Sequence, residues 1–293
     1  MRLTNIVVAL ALAAPLAAQQ KVDIGRPSTP DVSVRLSGAL GSVKITAWER
    51  DSVAIVGGLG AGSRLDGGTL FPTGVTSGMK FYVEAADESA LRGNRLELRV
   101  PRNARVWVKT GSADIEATGV TGGLDLNIVG GSVKVNARPR ELIIESMDGS
   151  VTVAGGADFA RVKTATGDIM MSGRGEDVLL TTISGAITVT ELAVQRGRFE
   201  SVTGPITFAG EVAREGDARF DTHSGAIELR LKPQANVDIE ASTLTGAIEN
   251  AFSARQPKVG REGRGMELML SSGNGSARVL VKTFKGNVRI GKQ

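Results

Sequence analysis

Between Gly131 and Gly246 the chain repeats one short phrase, a turn ending in Gly followed by an alternating apolar strand. It reads GSVKV at Gly131, GSVTV at Gly149, GDIMM at Gly167, GAITV at Gly185, GPITF at Gly204, GAIEL at Gly225 and GAIEN at Gly246. The intervals between these glycines are 18, 18, 18, 19, 21 and 21 residues. Self-similarity at such a period marks an architecture that stacks one small unit on the next. One unit has too little apolar surface for a core of its own, so neighbours must bury each other.

Two and four positions after each glycine stand Val133 and Val135, Val151 and Val153, Ile169 and Met171, Ile187 and Val189, Ile206 and Phe208, and Ile227 and Leu229. A period of two puts these side chains on one face of a strand. A second strand leads into the glycine, with Ile144, Val162, Leu180, Phe199, Phe220 and Ala241 five positions before it. Three before it come Ser146, Thr164, Thr182, Ser201, Thr222 and Thr243, whereas the first coils carry Val108 and Ile128 there. Equivalent residues of a parallel stack lie about 4.8 Å apart, so the spacing predicts a hydroxyl ladder. The glycine is expected to take a positive φ at the corner. The predicted fold is all-β, a single-chain parallel β-solenoid, β-helix-like, with coils of 18–21 residues and an N-terminal capping β region.

Arg2, the apolar run Ile6 to Leu16 and the small pair Ala17-Ala18 read as a secretory signal over residues 1–18. Residues 19–30, with Pro27 and Pro30, read as a flexible lead-in, and 31–293 as one solenoid domain. Val32 to Ile55 is expected to form a degenerate first coil capping the stack. Two insertions are expected, a Gly-rich one at about 57–80 and a second at about 251–265. Between them Phe81, Val83 and Ala85 are expected to pair with Leu96, Leu98 and Val100. After the second insertion Leu268, Leu270 and Ser272 resume the rhythm. A last coil closes with Val288 and Ile290, and Lys285, Arg289 and Lys292 are placed on the open end of the stack. No stretch carries a capped helical period, and none after the signal is apolar enough to span a bilayer.

The segments GSVKITAWERDSV and PRNARVWVKTGSADIEATGV, and the run of T-x-x-G-x-I coils after them, resemble the bacterial putative-adhesin family of β-repeat proteins, a domain of unknown function. The resemblance runs from about Val32 to Ile290. It implies an exported or envelope-attached β-repeat protein with a role in adhesion, and it brings no catalytic residues with it.

The search for chemistry agrees. There is no cysteine and one histidine, His223, two residues from Asp221. The positions equivalent to His223 hold Ala165, Ile183, Val202 and Leu244, which reads as a structural slot. The Gly57–Gly62 run lacks the following helix that a phosphate loop requires. A lone turn aspartate, Asp168, does not make a calcium site. Outward positions mix signs, Lys134, Thr152, Met170, Thr188, Thr207, Glu228 and Glu249 in one column, which does not suggest the paired acids of a glycosidase. No catalytic, cofactor or metal residues are therefore assigned. The net charge of +4 lacks the clustered basic face of a nucleic-acid binder. One local excess stands out in the second insertion: Arg255, Lys258, Arg261 and Arg264 against Glu262. It is a weak candidate contact for an anionic envelope glycan or lipid, or for another envelope protein. The favoured reading is a non-enzymatic exported envelope protein, periplasmic or extracellular, presenting a rigid surface for adhesion or scaffolding. The alternatives are a polysaccharide-active enzyme on a parallel β-helix and an accessory protein of envelope-stress signalling.

Overall fold

The structure, a computed structural model, describes residues 20–73, 76–260 and 263–293. The expected signal segment 1–18 lies outside the described residues, as do Arg261 and Glu262 of the second insertion. The architecture is all-β with one short helix. In chain order the elements are β1 (Gln20–Pro27), β2 (Ser33–Gly38), β3 (Ser42–Trp48), β4 (Ser52–Leu59), β5 (Ser63–Thr73), β6 (Thr76–Ala85), α1 (Glu88–Gly93) and β7 (Arg95–Pro101). The regular coils follow as β8 (Arg105–Ser112), β9 (Asp114–Thr118), β10 (Gly123–Gly130), β11 (Ser132–Asn136), β12 (Glu141–Ser146), β13 (Ser150–Ala154) and β14 (Phe159–Lys163). Three long strands then bend round the stack: β15 (Ile169–Thr182), β16 (Ile187–Ser201) and β17 (Ile206–Thr222). The chain ends with β18 (Ile227–Leu231), β19 (Val237–Thr243), β20 (Ile248–Asn250), β21 (Lys258–Val259), β22 (Met266–Ser272), β23 (Ala277–Thr283) and β24 (Val288–Lys292).

Each coil sends one strand to a first face and the next to a second. From β8 to β17 all pairing between coils is parallel, and inward residues stay in register: Val108, Leu126, Ile144, Val162, Leu180, Phe199 and Phe220 form one column. These side chains are buried against Ile115, Val133, Val151, Ile169, Ile187 and Ile206 of the second face. Where the coils lengthen, the wider interior is filled by rings. Phe199 and Phe220 stack with centroids 4.9 Å apart, and Phe208 meets Phe220 edge-on at 5.2 Å.

The sheet is mixed, however, and a wholly parallel β-solenoid is not what the chain forms. Antiparallel strands close both ends: β1 on β4 and β4 on β7, β5 on β6, β22 on β19, and β21 on β22. Residues 20–27 of the expected lead-in are thus an edge strand. The expected Gly-rich insertion holds β5, which pairs antiparallel with β6. Strands β6 and β7 do not pair with each other; α1 separates them, and they join opposite faces, β6 beside β2 and β7 beside β3.

Chain order and stack order also differ at both ends. The β2–β3 coil lies between β6–β7 and β8–β9, so it is an interior coil and not the cap. The β23–β24 coil likewise lies between β17–β18 and β19–β20. Lys285, Arg289 and Lys292 therefore do not guard an open end, and Leu268 and Leu270 sit in the antiparallel edge strand β22. A parallel stack leaves a row of unpaired backbone groups on its last strand. Inserting each terminal coil one place inward gives it two neighbours and leaves the outer rows to antiparallel edge strands.

Two local expectations also change. The corner glycines after Gly131 do not adopt positive φ. A Cβ at Gly167, Gly185, Gly204 or Gly225 would overlap the carbonyl oxygen of the corner glycine one coil earlier, so close stacking is what excludes a side chain. The hydroxyls mostly close their own turns: Gly149 N–H donates to Ser146 Oγ (2.9 Å), and Thr222 Oγ1–H donates to the Gly225 carbonyl (2.7 Å). One ladder bond joins Thr164 to Thr182 at 3.1 Å. In the first coil Thr110, not Val108, is in register with Ile128, and Ala113 takes the glycine's place beneath Gly131.

Candidate functional site

The residue after each corner hydroxyl, or after Ile128 in its place, points outward. Along the stack these residues are Val129, Met147, Ala165, Ile183, Val202, His223, Phe284 and Leu244. Backbone bonds from corner to corner fix the order: Met147 N–H to the Val129 carbonyl (3.2 Å), Ala165 to Met147 (3.0 Å), Ile183 to Ala165 (3.1 Å), Ser224 to Val202 (2.9 Å), Lys285 to His223 (2.8 Å) and Thr245 to Phe284 (3.1 Å). Met147 is 57% exposed, Ile183 55% and Phe284 43%. Eight residues at strand spacing make an apolar ridge about 34 Å long and one side chain wide. Scattered surface apolars carry no meaning, but a contiguous strip rimmed by polar groups marks an interaction surface.

His223 belongs to this ridge and is exposed. Its ring lies flat on Phe284, with centroids 5.1 Å apart and planes at 7°. Asp221 is engaged by Arg219 at 3.5 Å. At this end the ridge opens into a groove lined by His223, Leu244, Phe284, Lys282, Glu267 and Arg264. The structure thus brings Arg264 of the basic insertion beside the only histidine. It does not gather the other described cations there. Arg255 lines a separate groove with Asp238 and Glu240, and Lys258 stands opposite Glu267 in the β21–β22 pair.

The mixed charges of the outer faces resolve into pairs between and along strands. Arg196 meets Asp177 at 3.4 Å, Arg230 meets Glu228 at 3.0 Å, Arg289 meets Glu249 at 3.0 Å and Lys232 meets Glu211 at 2.6 Å. Two bonds from Arg99, at 3.0 and 2.9 Å, hold the Glu97 carboxyl below the usual carboxylate range against the opposing effect of burial. Asp168 accepts from the Ala186 N–H of the next coil (2.7 Å), a stitch between turns. Among the described residues, no group of three acids or histidines could hold a metal ion, and no helix is long and apolar enough to cross a membrane. The Gly57–Gly62 run lies against α1, where a Cβ at Gly60 would strike the Ala90 carbonyl, and Gly60 N–H donates to Asn94 Oδ1 (2.9 Å).

A chain of short β coils stacked on shared corner glycines, with an extended apolar ridge on the outside of those corners, falls among the repeat-built all-β proteins. Within that class, residues 32–291 match the family described as Toastrack DUF4097, and the chain belongs to it. Among solved structures it is similar to a putative adhesin from Bacteroides fragilis, with 9% identity, 94% of this chain and 98% of that chain covered, and a TM-score of 0.47. It is also similar to a putative cell adhesion protein from Clostridium sporogenes, with 9% identity, 94% and 100% covered, and a TM-score of 0.27. No curated protein matches.

Proposed function

We propose that this chain is a non-enzymatic, exported envelope protein whose stacked coils act as one rigid β-solenoid rod for adhesion or scaffolding. Residues 1–18 are its cleavable signal, and 31–293 are its working unit. The ridge from Val129 to Leu244 carries this reading. Its apolar line, bordered by hydroxyls and by charges of both signs, matches the apolar centre and polar rim of a protein interface. A membrane-binding strip would need a sustained basic flank. The occupant is therefore the apolar strip of another envelope protein. The exposed Arg255, Lys258 and Arg264, with Arg261 beside them in sequence, add contact to anionic envelope material, Arg264 of them at the groove end of the ridge.

Replacing Met147 and Ile183 together by Ser tests the ridge. Both side chains are exposed, so the melting temperature should stay near that of the unmodified protein. Retention on immobilised envelope proteins should fall, and added salt should not restore it. Replacing Arg255, Lys258 and Arg264 by Gln should instead lower retention only at low salt, because that attraction decays within a Debye length. Undiminished retention of the Met147/Ile183 variant would exclude the ridge as the adhesive surface.

A further inference from the structure

On the first face, far from the ridge's groove, the outward residues of β2, β8, β10 and β12 form two adjoining rows. In one row Arg35, Trp107, Asp125 and Ile143 are in register; in the next stand Ser33, Arg105, Gly123 and Glu141. The absence of a side chain at Gly123 opens the surface. A Cβ built there meets nothing nearer than Arg105 Cγ at 3.6 Å. The result is a notch of 370 Å³ walled by Arg105, Glu141, Trp107, Asp125 and Ile143, which falls within the range of small-molecule sites.

The wall chemistry selects the ligand. Trp107 is half-buried and presents a flat apolar surface. Among the described residues its indole N–H has no partner, whereas that of Trp48 donates to the Ser52 carbonyl at 2.8 Å. Asp125 Oδ1 accepts from Asn127 Nδ2 (2.6 Å), and Asp125 lines the notch. Burial pushes the Asp125 carboxyl above its usual range, with Glu145 and Glu141 adding to the effect and the Asn127 bond opposing it. A carboxylate so placed gains from new hydrogen-bond donors. An anion would meet Asp125 and Glu141, and a cation would meet Arg35 and Arg105. A neutral polyol suits both, since each hydroxyl donates to a carboxylate and accepts from a guanidinium. The C–H face of a sugar ring completes the match by packing on the indole, as amphipathic groups do on Trp.

We propose that this notch is a saccharide subsite, with Trp107 as the platform, Asp125 and Glu141 as acceptors and Arg105 and Arg35 as donors. It lies on other residues than the ridge, so either can fail without the other. The test is titration of the intact chain with maltotetraose, cellotetraose and chitotetraose, read by calorimetry and tryptophan fluorescence. At least one should bind, and Trp107→Ala should weaken it at least about tenfold, as loss of a buried aromatic anchor does. Gly123→Val should weaken it equally by filling the notch, while its melting temperature stays at or above that of the unmodified protein, which separates blocking from unfolding. The proposal fails if none of the three sugars binds at about 10 mM. It fails equally if binding survives both substitutions, or if tetralysine, added as a cationic control, occupies the notch in preference to the sugars.

Discussion

A single methyl group added at Gly204 would overlap the carbonyl oxygen of Gly185, whereas the same methyl at Gly123 finds its nearest neighbour at 3.6 Å. The two glycines therefore differ in what they do, although both sit at conformations open to any residue. Gly204→Ala forces two coils apart at the corner column and should cost about 1–3 kcal/mol, the usual penalty for overpacking. Gly123→Ala should be neutral or stabilising, since it removes the entropy penalty of a strand glycine, about 0.5–1 kcal/mol. Denaturant melts of both variants check this, and equal losses would mean that the column is not the reason for glycine at the corners. Sequence spacing located these glycines and predicted the wrong cause for them. Period shows that a side chain is excluded; it does not show whether a dihedral or a neighbouring coil excludes it. The ridge was hidden for a related reason. Ile183 and Val202 are apolar at a regular position, and in a repeat that pattern ordinarily means burial. Only the turn geometry reveals that the residue after the hydroxyl faces out.

Most of the strands were legible because inward Val, Ile, Leu and Phe alternate with polar residues in every coil. Which coil lies beside which was not legible from the period, but the charges held a signal. In sequence order Glu228 and Glu249 would be neighbours, and so would Asp217 and Asp238. In the stack Arg289 separates the first pair and Arg278 the second. The N-terminal insertion has the same mark, with Lys44 between Glu97 and Glu116. Opposite charges facing across strands stabilise a ladder and like charges weaken it, by roughly 0.2–1 kcal/mol per pair. Arg289→Glu would line up three carboxylates and remove the 3.0 Å pair with Glu249. It should lower stability by about 1 kcal/mol at low ionic strength and by less in high salt. Arg289→Gln should fall between it and the unmodified protein. An unchanged melt for Arg289→Glu at low salt would remove charge alternation as a determinant of stack order.

At the scale of the molecule, the inward placement of both terminal coils makes the ends of the chain structural. The corner column runs Gly204, Gly225, Gly286, Gly246, with each added Cβ aimed at the previous glycine's carbonyl, so residues 277–292 are a middle layer. Removing everything after Ser272 would strip β17 and β18 of their partners on one side and β19 and β20 of theirs. The gap cannot close without penalty. Restacking β19 directly on β17 in the existing register would set Asp238 against Asp217, and β20 on β18 would set Glu249 against Glu228. The core would also lose Val279, Val281, Val288 and Ile290, all buried, and each buried aliphatic side chain contributes about 1.5–3 kcal/mol. Four such losses are comparable to the whole stability of an ordinary domain, about 5–15 kcal/mol. The truncated chain should therefore lose cooperative thermal unfolding and bind a hydrophobic dye. Truncation of a coil at an open end would instead leave the rest of the stack folded, as removal of an outer repeat does. Circular dichroism melts of the chain ending at Ser272 distinguish the two. A sharp transition within a few degrees of the full-length value, where about 1 kcal/mol shifts a chain of this size by roughly 2–4 °C, would place β23 and β24 at the end of the stack and not within it.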